Sequence, residues 1–398
     1  MEKEYRENIN VKYISMINTE KNKYSKKNNT KAFIYIFYII IIIIFIIFIY
    51  FLIFKALPVN NQNKENLSKI KSNILEGFQK IESLINNLNY DLINTNSYLN
   101  KNNFFDEKAK SDINFKLKYF CRNQELFYDP HLENNINLTK VKLDNITFDI
   151  FLYKEGDAVS NSILKSGNWE PLETKKILSS LNYYSKKEHI SKNSIFMLDI
   201  GANIGWYSLY LGKNGYNVMS FEPSKRNYYI LKKNFCLDEN LNITIINKAL
   251  DNEEKNCTLY HHIKNVGNAI MICDEETIDK SIYFSEEIEL SALSKYIPYL
   301  VNHNLALIKI DVEGYEGKAI ESGIDLIIKY HIPFILMEFT PRLLKSKGTD
   351  PKSLLLIFQN NGYKISKKDF LSNEYCSIDE LLNIYQINIY FVYTKFLE

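Results

Sequence analysis

A charge excess of either sign is missing from this 398-residue sequence: 49 basic residues against 47 acidic ones leave a net charge of +2. No global field therefore draws in nucleic acid, and no nucleic-acid partner is expected. Arginine is scarce, confined to Arg6, Arg122, Arg226 and Arg342, with lysine carrying the positive charge; this is a biased residue alphabet rather than chemistry. The five cysteines (Cys121, Cys236, Cys257, Cys273 and Cys376) contain no CxxC pair, and the six histidines show no HxxEH or similar spacing. No metal site is expected from such a pattern. The cysteines read as buried thiols rather than ligands, and their odd number permits at most two disulfides. There is no internal repeat.

One long apolar run stands out. AFIYIFYIIIIIIFIIFIYFLIF, residues 32–54, holds 23 residues without a charge. As a helix it would reach about 35 Å, enough to cross a bilayer, and it is too long for the apolar stretch of a cleaved signal peptide. Lys21, Lys23, Lys26, Lys27 and Lys31 precede it, against Lys55, Lys64 and Lys69 after it, so a cytosolic N-terminus is expected. That makes a single-pass type II protein, its C-terminal part in the lumen of the Golgi or ER. Asn66, Asn137, Asn145, Asn242 and Asn256 each begin an N-x-[ST] triplet beyond the anchor, which suits that side.

The remaining chain divides by pattern. Residues 1–31 form a basic tail, 55–118 a partly helical stem, 119–193 a lead-in of hairpin and helix, and 194–398 an α/β domain. In the stem, Leu67, Ile70, Ile74, Phe78, Ile81, Leu84, Leu88 and Leu92 recur three or four apart, the mark of an amphipathic helix. It leaves open a homodimer through the stem, although Gly77 and Asp91 interrupt a strict heptad. Alternation over residues 140–152 predicts a hairpin turning at Asp144 and Asn145, and SGNWEP (Ser166 to Pro171) predicts a loop opening a helix.

From Ser194 onward, strands at 194–200, 217–221, 242–246, 306–310 and 334–337 alternate with helices at 206–211, 225–235, 318–329 and 352–361. This order predicts a doubly wound, Rossmann-like and mostly parallel sheet. Residues 387–393 should close it as an antiparallel hairpin partner of 363–365.

The chemistry concentrates at strand ends. Asp199-Ile-Gly-Ala-Asn-Ile-Gly205 is a strand end with glycines spaced for close approach of a ligand, followed by a helix N-terminus with free N–H groups. Seventeen residues after Gly205, Glu222 follows the second strand, where a carboxylate can accept from both hydroxyls of a ribose. GxGxxG is missing, which disfavours a dinucleotide and favours a nucleoside without phosphates. After the fourth strand, Asp311 and Glu313 lie where a base could take a proton from an attacking hydroxyl, Asp311 as first choice and Glu313 as second. The plainer alternative is that either carboxylate caps the following helix. Glu338, His261 and His262 are further pocket candidates by position.

Taken together, DIGANIGWYSLYL, FEPSKRNYYILKKN, VGNAI (Val266 to Ile270) and KIDVEGYEGKAIESG resemble the FkbM family of class I methyltransferases over about Ser194 to Glu338. The resemblance implies S-adenosylmethionine as cofactor and O-methylation of a hydroxyl on a sugar or small metabolite. It places Asp199, Gly201, Asn203, Gly205 and Glu222 on the cofactor, with the adenine near Asn247 and Lys248. One departure is local: ELSALSKYI (Glu289 to Ile297), expected to open the helix before the fourth strand, lacks the family's Leu-Asp pair. Two rivals share these features, a type II glycosyltransferase and a membrane-tethered binding module without catalysis.

Overall fold

The computed structural model describes residues 107–262, 265–273, 282–301 and 303–398. The expected basic tail, the apolar segment 32–54 and the amphipathic stretch 67–92 lie outside these residues. Among the described residues no helix is long and apolar enough to cross a membrane.

A helix, α1 (Glu107–Arg122), opens the described chain and runs through the boundary expected at residue 118. The hairpin follows as β1 (Ile136–Leu143) and β2 (Ile146–Tyr153), turning at Asp144 and Asn145 as expected, with Asp144 at a φ of 52°. Two helices complete the lead-in. In α2 (Ala158–Ser166), Asp157 is the N-cap, its Oδ2 accepting the Ser160 N–H at 2.7 Å. In α3 (Pro171–Lys187), Pro171 holds the first turn, where a missing N–H costs nothing.

The main sheet is built from β3 (Phe196–Ile200), β4 (Asn217–Phe221), β5 (Ile243–Ile246), β10 (Leu305–Ile310), β11 (Phe334–Phe339), β12 (Tyr363–Ser366) and β13 (Ile387–Tyr393). Their spatial order is β12-β13-β11-β10-β3-β4-β5, and β13 alone runs antiparallel to its neighbours. β3, β4 and β10 are buried at every position, the continuous apolar pattern of strands covered on both faces. One face packs on α4 (Trp206–Lys213), α5 (Lys225–Cys236) and the lead-in, sharing a core that includes Ile150, Leu181, Trp206 and Leu231. The other face carries α6 (Glu316–Glu321), α7 (Ile324–Lys329) and α8 (Pro351–Asn360), so the helix expected at 318–329 is broken at Ser322 and Gly323.

Two expectations are corrected. Between β5 and β10 the chain makes a second sheet of β6 (Ala249–Leu250), β7 (Asn256–His262), β8 (Asn265–Ile272) and β9 (Tyr283–Ser291), ordered β6-β9-β7-β8. The segment 289–297, expected to open the helix before the fourth strand, is mostly the end of β9 and a 3-10 turn (Leu293–Lys295), because Leu290 and Ser291 are drawn inward by strand pairing; the helix itself, Ile297–Val301, starts only at the last residue of that segment. The cysteines are also not all thiols: Cys121 is bonded to Cys236 and Cys257 to Cys273, leaving Cys376 free. The first bond fastens α1 to α5 and the second links β7 to the residue following β8, with Cα separations of 5.2 and 4.3 Å.

Candidate functional site

β3 and β10 are neighbours in the sheet, yet their following helices lie on opposite faces. Their carboxyl ends therefore part to leave a crevice, the place where open α/β sheets bind ligands. A cavity of about 400 Å³ opens there, within the range of small-molecule sites.

The turn after β3 forms one wall. Gly201 sits at a φ of 80°, and a Cβ on it would come within 1.9 Å of the Asp311 carbonyl oxygen, so only glycine lets the two turns meet. Asn203, also left-handed at 51°, donates its backbone N–H to Glu222 Oε2 at 2.8 Å. The Ser224 N–H donates to Glu222 Oε1 at 2.9 Å. These two bonds fix the carboxylate at the cavity wall while leaving each oxygen able to accept once more. Burial pushes Glu222 up to about 7, outweighing the backbone bonds from Ser224 and Asn203 that favour its charged form.

The turn after β10 forms the other wall. Lys309 Nζ lies 3.4 Å from Asp311 Oδ2 and 3.8 Å from Asp199 Oδ1, donates to the Gly201 carbonyl at 3.2 Å, and stands 5.2 Å over the Tyr207 ring. Burial works to lower its pKa, but Asp311, then Asp199 and Glu170, outweigh it and hold the ammonium above the usual lysine range. Neither Asp311 nor Glu313 caps the next helix. Glu316 organises this loop instead, its Oε1 accepting the N–H groups of Val312 and Gly314 at 3.0 and 3.1 Å. Glu313 adopts a left-handed φ of 55°, a costly conformation for this residue type. Burial, and then the charges of Asp311 and Glu316, push Glu313 up to about 7. Burial and the Asp311 charge likewise raise Glu338.

The structure thus brings Gly201, Asn203, Glu222, Lys248, Asp311, Glu313, Glu338 and His261 to one cavity. Asp199, Gly205 and Asn247 do not reach it. Asp199 is fully buried behind the turn, accepting from Ser208 and facing Lys309. Gly205 is required by helix packing, since a Cβ there would meet Leu231 at 2.5 Å. The Asn247 amide clamps the carbonyls of Glu222 and Pro223 at 2.8 and 2.9 Å. His261 is buried with Nε2 2.7 Å from Glu286, whereas His262 turns away against Tyr283. Residues the sequence did not single out are Asp157, Trp169, Glu170 and Tyr207, all in the cavity wall. Glu170 held a faint signal, since it precedes Pro171 in the loop already noted; it is left-handed at a φ of 40° and its carboxylate accepts from the Tyr207 hydroxyl.

A doubly wound domain with a carboxylate fixed after its second strand and a glycine turn after its first is built to hold a nucleoside. Residues 199–365 match the family described as the Methyltransferase FkbM domain. The family's cofactor is S-adenosylmethionine. No curated protein matches the sequence. Among solved structures, the bifunctional kinase-methyltransferase WbdD is 10% identical with a TM-score of 0.36, over 66% of this chain and 45% of that one. The chain therefore spans less than half the length of WbdD. A TehB-like SAM-dependent methyltransferase from Corynebacterium glutamicum is 12% identical with a TM-score of 0.30, over 58% of this chain and 92% of that one. The magnesium protoporphyrin IX methyltransferase of Synechocystis, solved with bound SAM, is 12% identical with a TM-score of 0.30, over 59% and 83%.

The wall fits such a cofactor on two counts. Asn203 Oδ1 is buried without a hydrogen-bond partner among the described residues, and Glu222 is held by backbone bonds with acceptor capacity to spare. Gly201, Asn203, Glu222 and Lys248 are the residues that would hold it.

The raised carboxyls make a stability prediction. A carboxyl whose folded pKa exceeds its unfolded one contributes stability that is complete below the unfolded value and lost as pH rises through the folded one. Glu222, Glu313 and Glu316 are each raised from 4.5 to about 7, and Glu338 is raised with them. The ligand-free protein should therefore melt at the highest temperature near about pH 5 and at progressively lower ones toward about pH 8. Calorimetry across that window checks this; a flat or rising melting temperature contradicts the placement of these groups.

Proposed function

We propose that this chain is an S-adenosylmethionine-dependent O-methyltransferase acting on a hydroxyl of a neutral sugar or other uncharged metabolite, held by a membrane anchor with its catalytic domain in a secretory lumen. The observation that carries the chemistry is the division of one cavity into two halves. By strand order Asn203, Glu222 and Lys248 follow β3, β4 and β5 on one side, while Asp311, Glu313 and Glu338 follow β10 and β11 on the other, where Trp169, Glu170 and Tyr207 also line the cavity beside Lys309. When bound, the cofactor supplies an electrophilic methyl group.

The second half suits an uncharged acceptor rich in hydroxyls. Aromatic side chains offer apolar faces, and carboxylates accept hydrogen bonds from hydroxyl groups. An anionic acceptor would meet four carboxyl groups there and find Lys309 already engaged by Asp199 and Asp311. The same engagement, with Lys248 paired to Glu289 at 3.0 Å, counts against a nucleotide-sugar diphosphate and thus against the glycosyltransferase alternative.

Of the two candidate bases, Glu313 is better suited to take the acceptor's proton, which reverses the order expected from sequence. Asp311 is already paired with Lys309 at 3.4 Å, whereas Glu313 is raised to about 7, close to the working range of a general base. Asp311 then orients the hydroxyl and keeps the Glu313 pKa up. Turnover should rise with pH through about 7, and Glu313→Gln should remove that limb and lower the rate by roughly 10²- to 10⁴-fold. Asp311→Asn removes a negative charge and leaves Lys309 positive, so the limb should move to lower pH. A limb that stays in place in Glu313→Gln and does not move in Asp311→Asn assigns the proton to another group.

The lumenal orientation rests on the lysine asymmetry about residues 32–54, and two further observations support it. Two disulfides suit an oxidising compartment, and the sequon asparagines Asn137, Asn145, Asn242 and Asn256 are all exposed. On intact microsomes, protease without detergent should leave everything after Lys55 undigested; loss of the C-terminal domain under those conditions reverses the topology.

A further inference from the structure

Asp157 is an acid buried without an opposite charge. Its side chain is fully inaccessible and stands in the wall of the cavity, yet no ion pair among the described residues neutralises it. Oδ2 accepts the Ser160 N–H, while Oδ1 has no hydrogen-bond partner among the described residues. Helix capping accounts for one oxygen and could be served by serine; it does not account for the second. An unpaired buried carboxylate oxygen is a cost that native structures retain mainly where a ligand removes it.

The surroundings say which ligand group lies near. Tyr153, at the end of β2, donates its backbone N–H to Ser160 Oγ at 3.0 Å and its phenol hydroxyl to Asn227 Oδ1 at 2.9 Å. Asn227 donates its N–H to Ser224 Oγ at 3.3 Å, and the Ser224 N–H holds Glu222 Oε1. A chain of hydrogen bonds thus joins the Asp157 cap to the Glu222 carboxylate, and Ser224 and Asn227 line the same cavity. Asp157 comes from the lead-in segment, outside residues 199–365.

We propose that Asp157 is a cofactor-binding residue whose free Oδ1 accepts a hydrogen bond from a ribose hydroxyl of S-adenosylmethionine, sharing the ribose with Glu222. The lead-in then does more than cover the sheet, since it carries part of the nucleoside site. This rests on the methyltransferase reading of the cavity, and the test separates the two.

The test is calorimetric titration of the full chain, in detergent, with S-adenosylhomocysteine and with its 2′-deoxy and 3′-deoxy analogues, for wild type and Asp157→Ser. Serine retains the cap of α2 and removes the second oxygen. The variant should bind S-adenosylhomocysteine more weakly by roughly tenfold or more, the scale of a bond to a charged acceptor. For the analogue lacking the hydroxyl that Asp157 meets, the loss should shrink to under about threefold, the non-additivity of a direct contact. The ligand-free variant should melt at or above the wild-type temperature, because a costly buried group has gone; a purely structural residue would lower it. Equal affinity of variant and wild type overturns the proposal, as does an equal loss for the parent ligand and both analogues. A wild type that binds none of the three overturns the methyltransferase reading and this proposal with it.

Discussion

The Lys309 ammonium is the contact on which the site depends. It joins three things that the chain supplies separately: the end of β3 through Asp199, the glycine turn through the Gly201 carbonyl, and the loop after β10 through Asp311. Burying two carboxylates without a cation would cost several kcal/mol for each, so the lysine is what allows acids to gather at the switch point of the sheet. Its charge also separates the roles of the remaining carboxyls. Asp311 is in contact with it, while Glu313 lies farther along the loop and is raised. The approach of the Asp311 carbonyl to Gly201 gives the same junction its backbone half.

The fold was legible where strand and helix signals were local. Buried runs such as FMLDI and LALIKI, Pro171 at a helix start, and the alternation leading into Asp144 and Asn145 each report their own element. The second sheet was not legible. In β7 the inward positions are Cys257, Leu259 and His261, and the buried histidine does not register as a core residue on an apolar scale while Tyr260 on the other face does, so the period of two is hidden. For the same reason the end of β9 was read as part of the helix that follows it, although pairing with β6 and β7 decides its form.

Within the site, the sequence marked the neighbourhood better than the contacts. Asp199, Gly205 and Asn247 belong to the right turns but hold the turns themselves rather than facing the cavity. Glu222 does both, since its carboxylate fastens the Asn203 turn and lines the cavity. Asp157 and Glu170 could not have been found by spacing, because they are brought in from the lead-in by packing of α2 and α3 against the sheet. The disulfides were equally hidden, with partners 115 and 16 residues apart and no motif to pair them.

The central claim is that the crevice between the β3 and β10 turns is a phosphate-free nucleoside site belonging to a methyltransferase. The most direct measurement is the melting temperature of the purified chain with S-adenosylmethionine, with NAD and with nucleotide sugars, each at the same saturating concentration. At a hundredfold excess over its dissociation constant a ligand stabilises the folded state by about 2.7 kcal/mol, a readily measured shift. The account predicts that S-adenosylmethionine raises the melting temperature and that the other two leave it unchanged. Stabilisation by a nucleotide sugar or by NAD, with none from S-adenosylmethionine, would contradict it.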